Sequence, residues 1–119
     1  MNDNDKIVQT SMNIIVNAGD ARMFVTKSLE DIVSRDFEKA AEDLKVAEQK
    51  ITDAHNMQTE IIQGAVKGIK EYGEYNILFS HAQDTIMTIT SELNIAKQMV
   101  NIFKSYEDRI SALEKDMDK

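Results

Sequence analysis

The chain contains no proline, and three of its four glycines, Gly64, Gly68 and Gly73, fall within ten residues of one another. Proline and glycine are the residues that interrupt regular structure. The one strong break therefore lies between 64 and 75, with long uninterrupted stretches on either side. That pattern permits a few long helices, and no stretch sustains the apolar–polar alternation of a strand.

The periodicity agrees. From Lys6 to Ser34, the residues Ile7, Ser11, Ile14, Ala18, Ala21, Val25, Leu29 and Ile32 recur at steps of three or four, which is one face of a helix. Gly19 sits inside this segment at a cost of about 1 kcal/mol relative to Ala, and it is read as a point where another helix crosses closely. Ser34, Arg35 and Asp36 form the first turn, with Asp36 as N-cap of the second helix. That helix carries Phe37, Ala40, Leu44, Ala47, Ile51, Ala54, Gln58, Ile61 and Ala65 inward. Its many alanines allow close packing. The stretch from Gly64 to Tyr75 is the second loop, and Asn76 caps a third helix that begins at Ile77 and runs nearly to the C-terminus. A helix of that length exceeds ~55 Å. The expected fold is all-α, an up-down-up antiparallel three-helix bundle.

Composition narrows function. One domain suits 119 residues. The formal charge is -7, with no basic stripe, which argues against nucleic acid and anionic membrane surfaces. The absence of cysteine removes disulfides, thiolate metal sites and cysteine nucleophiles. The acidic start, Met1 to Asp5, lacks the basic and apolar regions of a signal peptide, and no apolar run is long enough for a bilayer. A cytoplasmic protein is expected.

The third helix carries an eleven-residue repeat. Asp84, Ile95, Tyr106 and Met117 form one series, Thr88, Met99 and Ile110 a second, and Ser91, Ile102 and Leu113 a third. Such spacing makes a nearly straight stripe with slight right-handed drift. Either the stripe packs on the first two helices, as most apolar helix faces do, or it is shared with copies of the chain.

The segment with most chemistry is Ser80-His81-Ala82-Gln83-Asp84-Thr85. His81 and Asp84 stand at i and i+3 on one helix face. A neutral imidazole is a nucleophile. In the second turn of its helix, His81 leans back towards the first-turn N–H groups, where the helix dipole stabilises an anion such as a phosphoryl group. The Ser80 hydroxyl is placed to help.

The run Ile77-Leu78-Phe79-Ser80-His81-Ala82-Gln83-Asp84-Thr85-Ile86-Met87-Thr88 resembles the signature of the lactose/cellobiose enzyme IIA family of bacterial sugar phosphotransferase systems. Ala18-Gly19-Asp20-Ala21-Arg22, Asp36-Phe37 and Ala54-His55-Asn56-Met57-Gln58-Thr59 resemble further motifs of that family, collinear from about Ile7 to Lys104. The resemblance implies a homotrimer of three-helix subunits with the third helix near the threefold axis. It implies that His81 accepts a phosphoryl group from phospho-HPr and passes it to a IIB cysteine, for uptake of a β-disaccharide of the lactose, cellobiose or chitobiose class. It implies that Asp84 from three subunits holds one Mg2+ on the axis, and that contact with the membrane is indirect, through the permease. Three such carboxylates would otherwise repel strongly, and oxygen donors suit magnesium. Gln83 is read as a support whose amide donates to phosphoryl oxygens or orients a ring. His55 is read as structural, Gln58 as lining the cleft near His81, and Asp20 and Arg22 as ion-pairing.

Two positions depart from the pattern. Thr85 replaces the family's usual second histidine, and Ser80 its usual Val or Met. The first leaves open a non-catalytic trimeric adaptor or regulatory homologue. Residues 1–104 are assigned to the IIA domain. Residues 105–119 continue the third helix past the family's usual end, either as a coiled-coil extension or as a frayed tail.

Overall fold

In the computed structural model, which describes residues 2–119, the order is α1 (Asp3–Val33), α2 (Phe37–Val66), a one-turn α3 (Lys70–Gly73) and α4 (Ile77–Met117). The fold is all-helical, with no strand among the described residues. The molecule is a rod of 72 × 20 × 18 Å.

Each long helix starts on a side-chain cap. Asn2 Oδ1 accepts from the Asp5 N–H, Asp36 Oδ1 from Lys39 and Asn76 Oδ1 from Phe79. The α1–α2 turn closes with Arg35 in the left-handed region at φ 63°, where its N–H donates to the Ile32 carbonyl. The second loop differs from expectation. The helix α2 continues through Gly64 to Val66, because Gly64 is not a break but a contact. A Cβ there would run into the Tyr72 ring, so the missing side chain lets Tyr72 of α3 lie on α2. The true turn glycine is Gly68, at φ 100°.

Ion pairs report direction. Lys6 binds Glu60, joining the start of α1 to the end of α2. Arg22 binds both oxygens of Glu92, and Arg35 binds Glu107, so α1 and α4 run parallel. Such exposed pairs contribute at most about 1 kcal/mol each; they set register, while burial supplies stability. Ala18, Ala21, Ala40, Ala47, Ala54 and Ala82 are fully buried, which brings the helices close. Ile7, Ile14, Ile61, Ile86 and Ile89 fill the gaps between them, each contributing about 1.5–3 kcal/mol.

On α4 the buried positions are Ala82, Ile86, Ile89, Leu93, Ala96 and Val100. The eleven-residue stripe, from Asp84 to Met117, is exposed throughout. It therefore does not pack on α1 and α2. Gly19 is exposed as well, with nothing within 4 Å of its Cβ position. No helix of the same chain crosses there, because Gly19 faces outward beside Val16 and Met23, both exposed.

Near the first turn, Asp31 of α1 and Asp43 of α2 are brought together, each with one buried oxygen lacking a donor. A hydrogen bond between the two carboxyls requires that one keep its proton. That bond, then burial, then the charge of Asp43 push Asp31 above the ordinary carboxylate range; Lys39 opposes the shift and Asp36 adds to it. A carboxyl raised on folding stabilises the fold below its unfolded pKa, and that contribution is lost as pH rises through the folded value. In Asp31→Asn an amide donates permanently to Asp43. We expect the melting temperature of this variant, relative to wild type, to be higher at about pH 8 than at about pH 4. An equal difference at both pH values would contradict the shared proton.

Candidate functional site

His81 lies in the second turn of α4, and its side chain is exposed. Its neighbour Ala82 is fully buried in a cluster with Ile14, Ala54 and Ile86, flanked by Phe79 and Met57. The helix turn that carries His81 is thus anchored on both other long helices, and the imidazole stands at its outer edge.

Asn76 controls the local backbone. Its side chain accepts from Phe79 N–H at 3.0 Å and its carbonyl from Ser80 N–H at 3.0 Å. The N–H groups of Ile77 and Leu78 keep no protein acceptor among the described residues. The anion-stabilising end of the helix is therefore these two groups rather than the whole first turn.

Thr85, the position that departs from the resembled pattern, donates its hydroxyl to the His81 carbonyl at 2.8 Å. Its side chain is tied to the helix backbone. Thr88 does the same to the carbonyl of Asp84 at 2.9 Å. The Asp84 carboxylate is exposed on the outer stripe, and forms no ion pair among the described residues. Ser80 and Gln83 are half-buried. Gln83 stands two residues, about 200°, round the helix from His81, so within one chain the two side chains do not face each other.

The remaining candidates fall outside this cluster or play other roles. His55 is exposed on α2 and makes no side-chain hydrogen bond among the described residues, so the expected structural bond is not found. Gln58 is half-buried. Asp20 lies 3.9 Å from Lys50, and Arg22 is engaged by Glu92. Glu92 itself was missed by sequence reading, although it stands eleven residues after His81, on the same edge of the helix. No group of three or more His, Cys, Asp or Glu among the described residues can hold a metal within one chain.

Residues 9–104 match the family described as the lactose/cellobiose-specific IIA subunit of the PTS system. The chain is 31% identical over 104 residues to a lactose-specific EIIA component from Lacticaseibacillus casei, covering 87% of this chain and 91% of that protein. It is 28% identical to a lichenan-specific phosphotransferase enzyme IIA component from Bacillus subtilis (strain 168), covering 92% and 97%. Among solved structures, the cellobiose-specific enzyme IIA from Bacillus anthracis superposes with TM-score 0.79 at 30% identity, covering 91% and 94%. PtcA from S. mutans gives 0.80 at 27%, covering 87% and 99%. With its exposed histidine on a capped helix inside the matched segment, the chain belongs to the lactose/cellobiose-specific IIA family of the sugar phosphotransferase system.

The cap predicts its own test. Asn76→Ala removes the bond to Phe79 N–H and is expected to lower stability by about 1 kcal/mol, read by urea denaturation. Asn76→Asp retains the acceptor and is expected to stay near wild type. Equal losses in the two variants would show that the cap does not hold this end of α4.

Proposed function

We propose that the protein is a cytoplasmic phosphocarrier, in which His81 takes a phosphoryl group from phospho-HPr and passes it to the cysteine of a IIB component. The observation that carries this reading is the exposure of His81 in the second turn of α4, within the family-matched segment and one turn from free backbone N–H groups. Phosphoryl transfer depends on positioning and electrostatics more than on a large catalytic apparatus. An imidazole on an anchored helix supplies the nucleophile, and the Ile77 and Leu78 N–H groups supply part of the charge compensation. A β-disaccharide of the lactose, cellobiose or chitobiose class is the cargo of the system in this reading; the lactose and cellobiose names borne by some relatives support it. No described helix is long and apolar enough to cross a membrane, which fits a carrier that meets the membrane only through its permease.

The protomer is the up-down-up three-helix unit, and the working form is a homotrimer with α4 at the threefold axis. Two exposed apolar faces support this. One is the α4 stripe; the other runs along α1 through Val8, Met12, Val16 and Met23. Apolar faces this long on a soluble protein mark interaction surfaces. Open space over Gly19 suits close approach by a neighbouring copy. In that assembly Gln83 supports the His81 of a neighbour rather than its own.

Asp84 fits a magnesium site built between copies. It is a hard oxygen donor, exposed, without a competing cation, on the face that meets the axis. A Mg2+ held there by Asp84 of three copies would offset two of the three carboxylate charges and reduce their mutual repulsion. Thr85 keeps the adaptor alternative alive, because its hydroxyl is engaged with the helix and does not replace an imidazole.

Incubation with phosphoenolpyruvate, enzyme I and HPr tests the reading. Wild type and His55→Ala are expected to take up an acid-labile, alkali-stable phosphate, while His81→Ala takes up none and keeps its helical content. A folded wild type that takes up no label would favour the adaptor.

A further inference from the structure

The helix α4 outruns the rest of the molecule. Arg35, in the α1–α2 turn, binds Glu107 at 2.6 Å. Past that pair, α4 continues for ten residues to Met117, about 15 Å, and all of them except Ser111 are exposed. This segment also lies outside the family match, which stops at residue 104. A projecting helix of that length draws little stability from propensity alone.

Its pattern is not that of a tail. Tyr106, Ile110, Leu113 and Met117 are exposed large apolar residues that extend the Asp84 stripe with the same steps of four, three and four. An eleven-residue repeat keeps such a stripe nearly straight. Copies that meet at Asp84 are thereby aligned at Met117. The stripe is edged by charge. Glu114 lies on the edge shared with His81 and Glu92, and Arg109 lies on the opposite edge. Five residues apart, about 140° round one helix, they do not pair within a chain. Neither has an ion-pair partner among the described residues, and Arg109 instead lies over the Tyr106 ring, 5.7 Å from its centre. In parallel helices meeting in register, opposite edges of neighbouring copies face each other, and an offset of five residues brings edge charges together.

We propose that residues 105–117 of three copies form a parallel three-stranded coiled coil below the bundle, with Ile110, Leu113 and Met117 in its core and Arg109 of each copy paired to Glu114 of the next. This rests on the trimeric reading above. The extension clamps the trimer at the end remote from His81, adding association energy without touching the phosphoryl site.

The chain has no cysteine, so single thiols report contact cleanly. Ser91→Cys lies on the stripe inside the bundle and Leu113→Cys on the extension; the full-length variants are oxidised in dilute solution. Three thiols around an axis form one disulfide and leave one thiol free, so both variants are expected to yield covalent dimer up to two thirds of the chains. Cross-linking at 91 but not at 113 would overturn the extension and leave the trimer standing; cross-linking at neither would overturn both. As a second measurement, Arg109→Glu or Glu114→Arg alone is expected to weaken the trimer about tenfold, since three exposed pairs are lost at once. The double reversal is expected to restore it. A double variant no tighter than the weaker single variant would overturn the pairing.

Discussion

The structure depends on α4 having two opposed faces with different periods. The inner face, Ala82 to Val100, repeats at steps of four and three and is buried. The outer face, Asp84 to Met117, follows the eleven-residue repeat and is exposed throughout. The inner face seats α4 on α1 and α2. The outer face stabilises nothing within the chain, so its apolar residues are explained only by something outside it. His81 stands on the border between the two faces. Its neighbour Ala82 is locked in the core, while the imidazole itself faces water.

The same division governs charge. Where carboxyls meet inside the chain, at Asp31 and Asp43, the contact pushes Asp31 above the ordinary carboxylate range and so favours its holding a proton, while Lys39 close by opposes the shift. On the outer face the Asp84 carboxylate is exposed and has no ion-pair partner among the described residues, so within one chain water alone solvates its charge. Cross-helix ion pairs such as Arg22–Glu92 and Arg35–Glu107 lie along one edge of α4 and fix its register against α1. They thereby set where His81 emerges.

Much of this was legible beforehand. The caps Asp36 and Asn76, the inward alanines and the segment around His81 could be read because caps and periodicity are local. What the sequence hid was relational. Gly64 looked like a loop residue, but it is a seat for the Tyr72 ring, and no local signal distinguishes a breaking glycine from one touched by a distant aromatic. Gly19 read as a point of close helix crossing, but it faces outward and no helix of the same chain meets it there. The eleven-residue stripe was visible in the sequence, yet its direction was not, because a helix with two apolar faces does not declare which is core. The Asp31–Asp43 contact joins two helices through a turn and left no motif at all.

Sedimentation equilibrium of the full chain, with and without Ile95→Asp, tests the outer face most directly. Ile95 lies in the middle of the stripe and is exposed in the single chain, so a charge there leaves the protomer's own packing intact. Three times the 13.5 kDa chain mass is expected for the unaltered protein, falling to one chain mass in a variant that keeps its helical spectrum. An unaltered protein that sediments as a single chain at all concentrations would contradict the account.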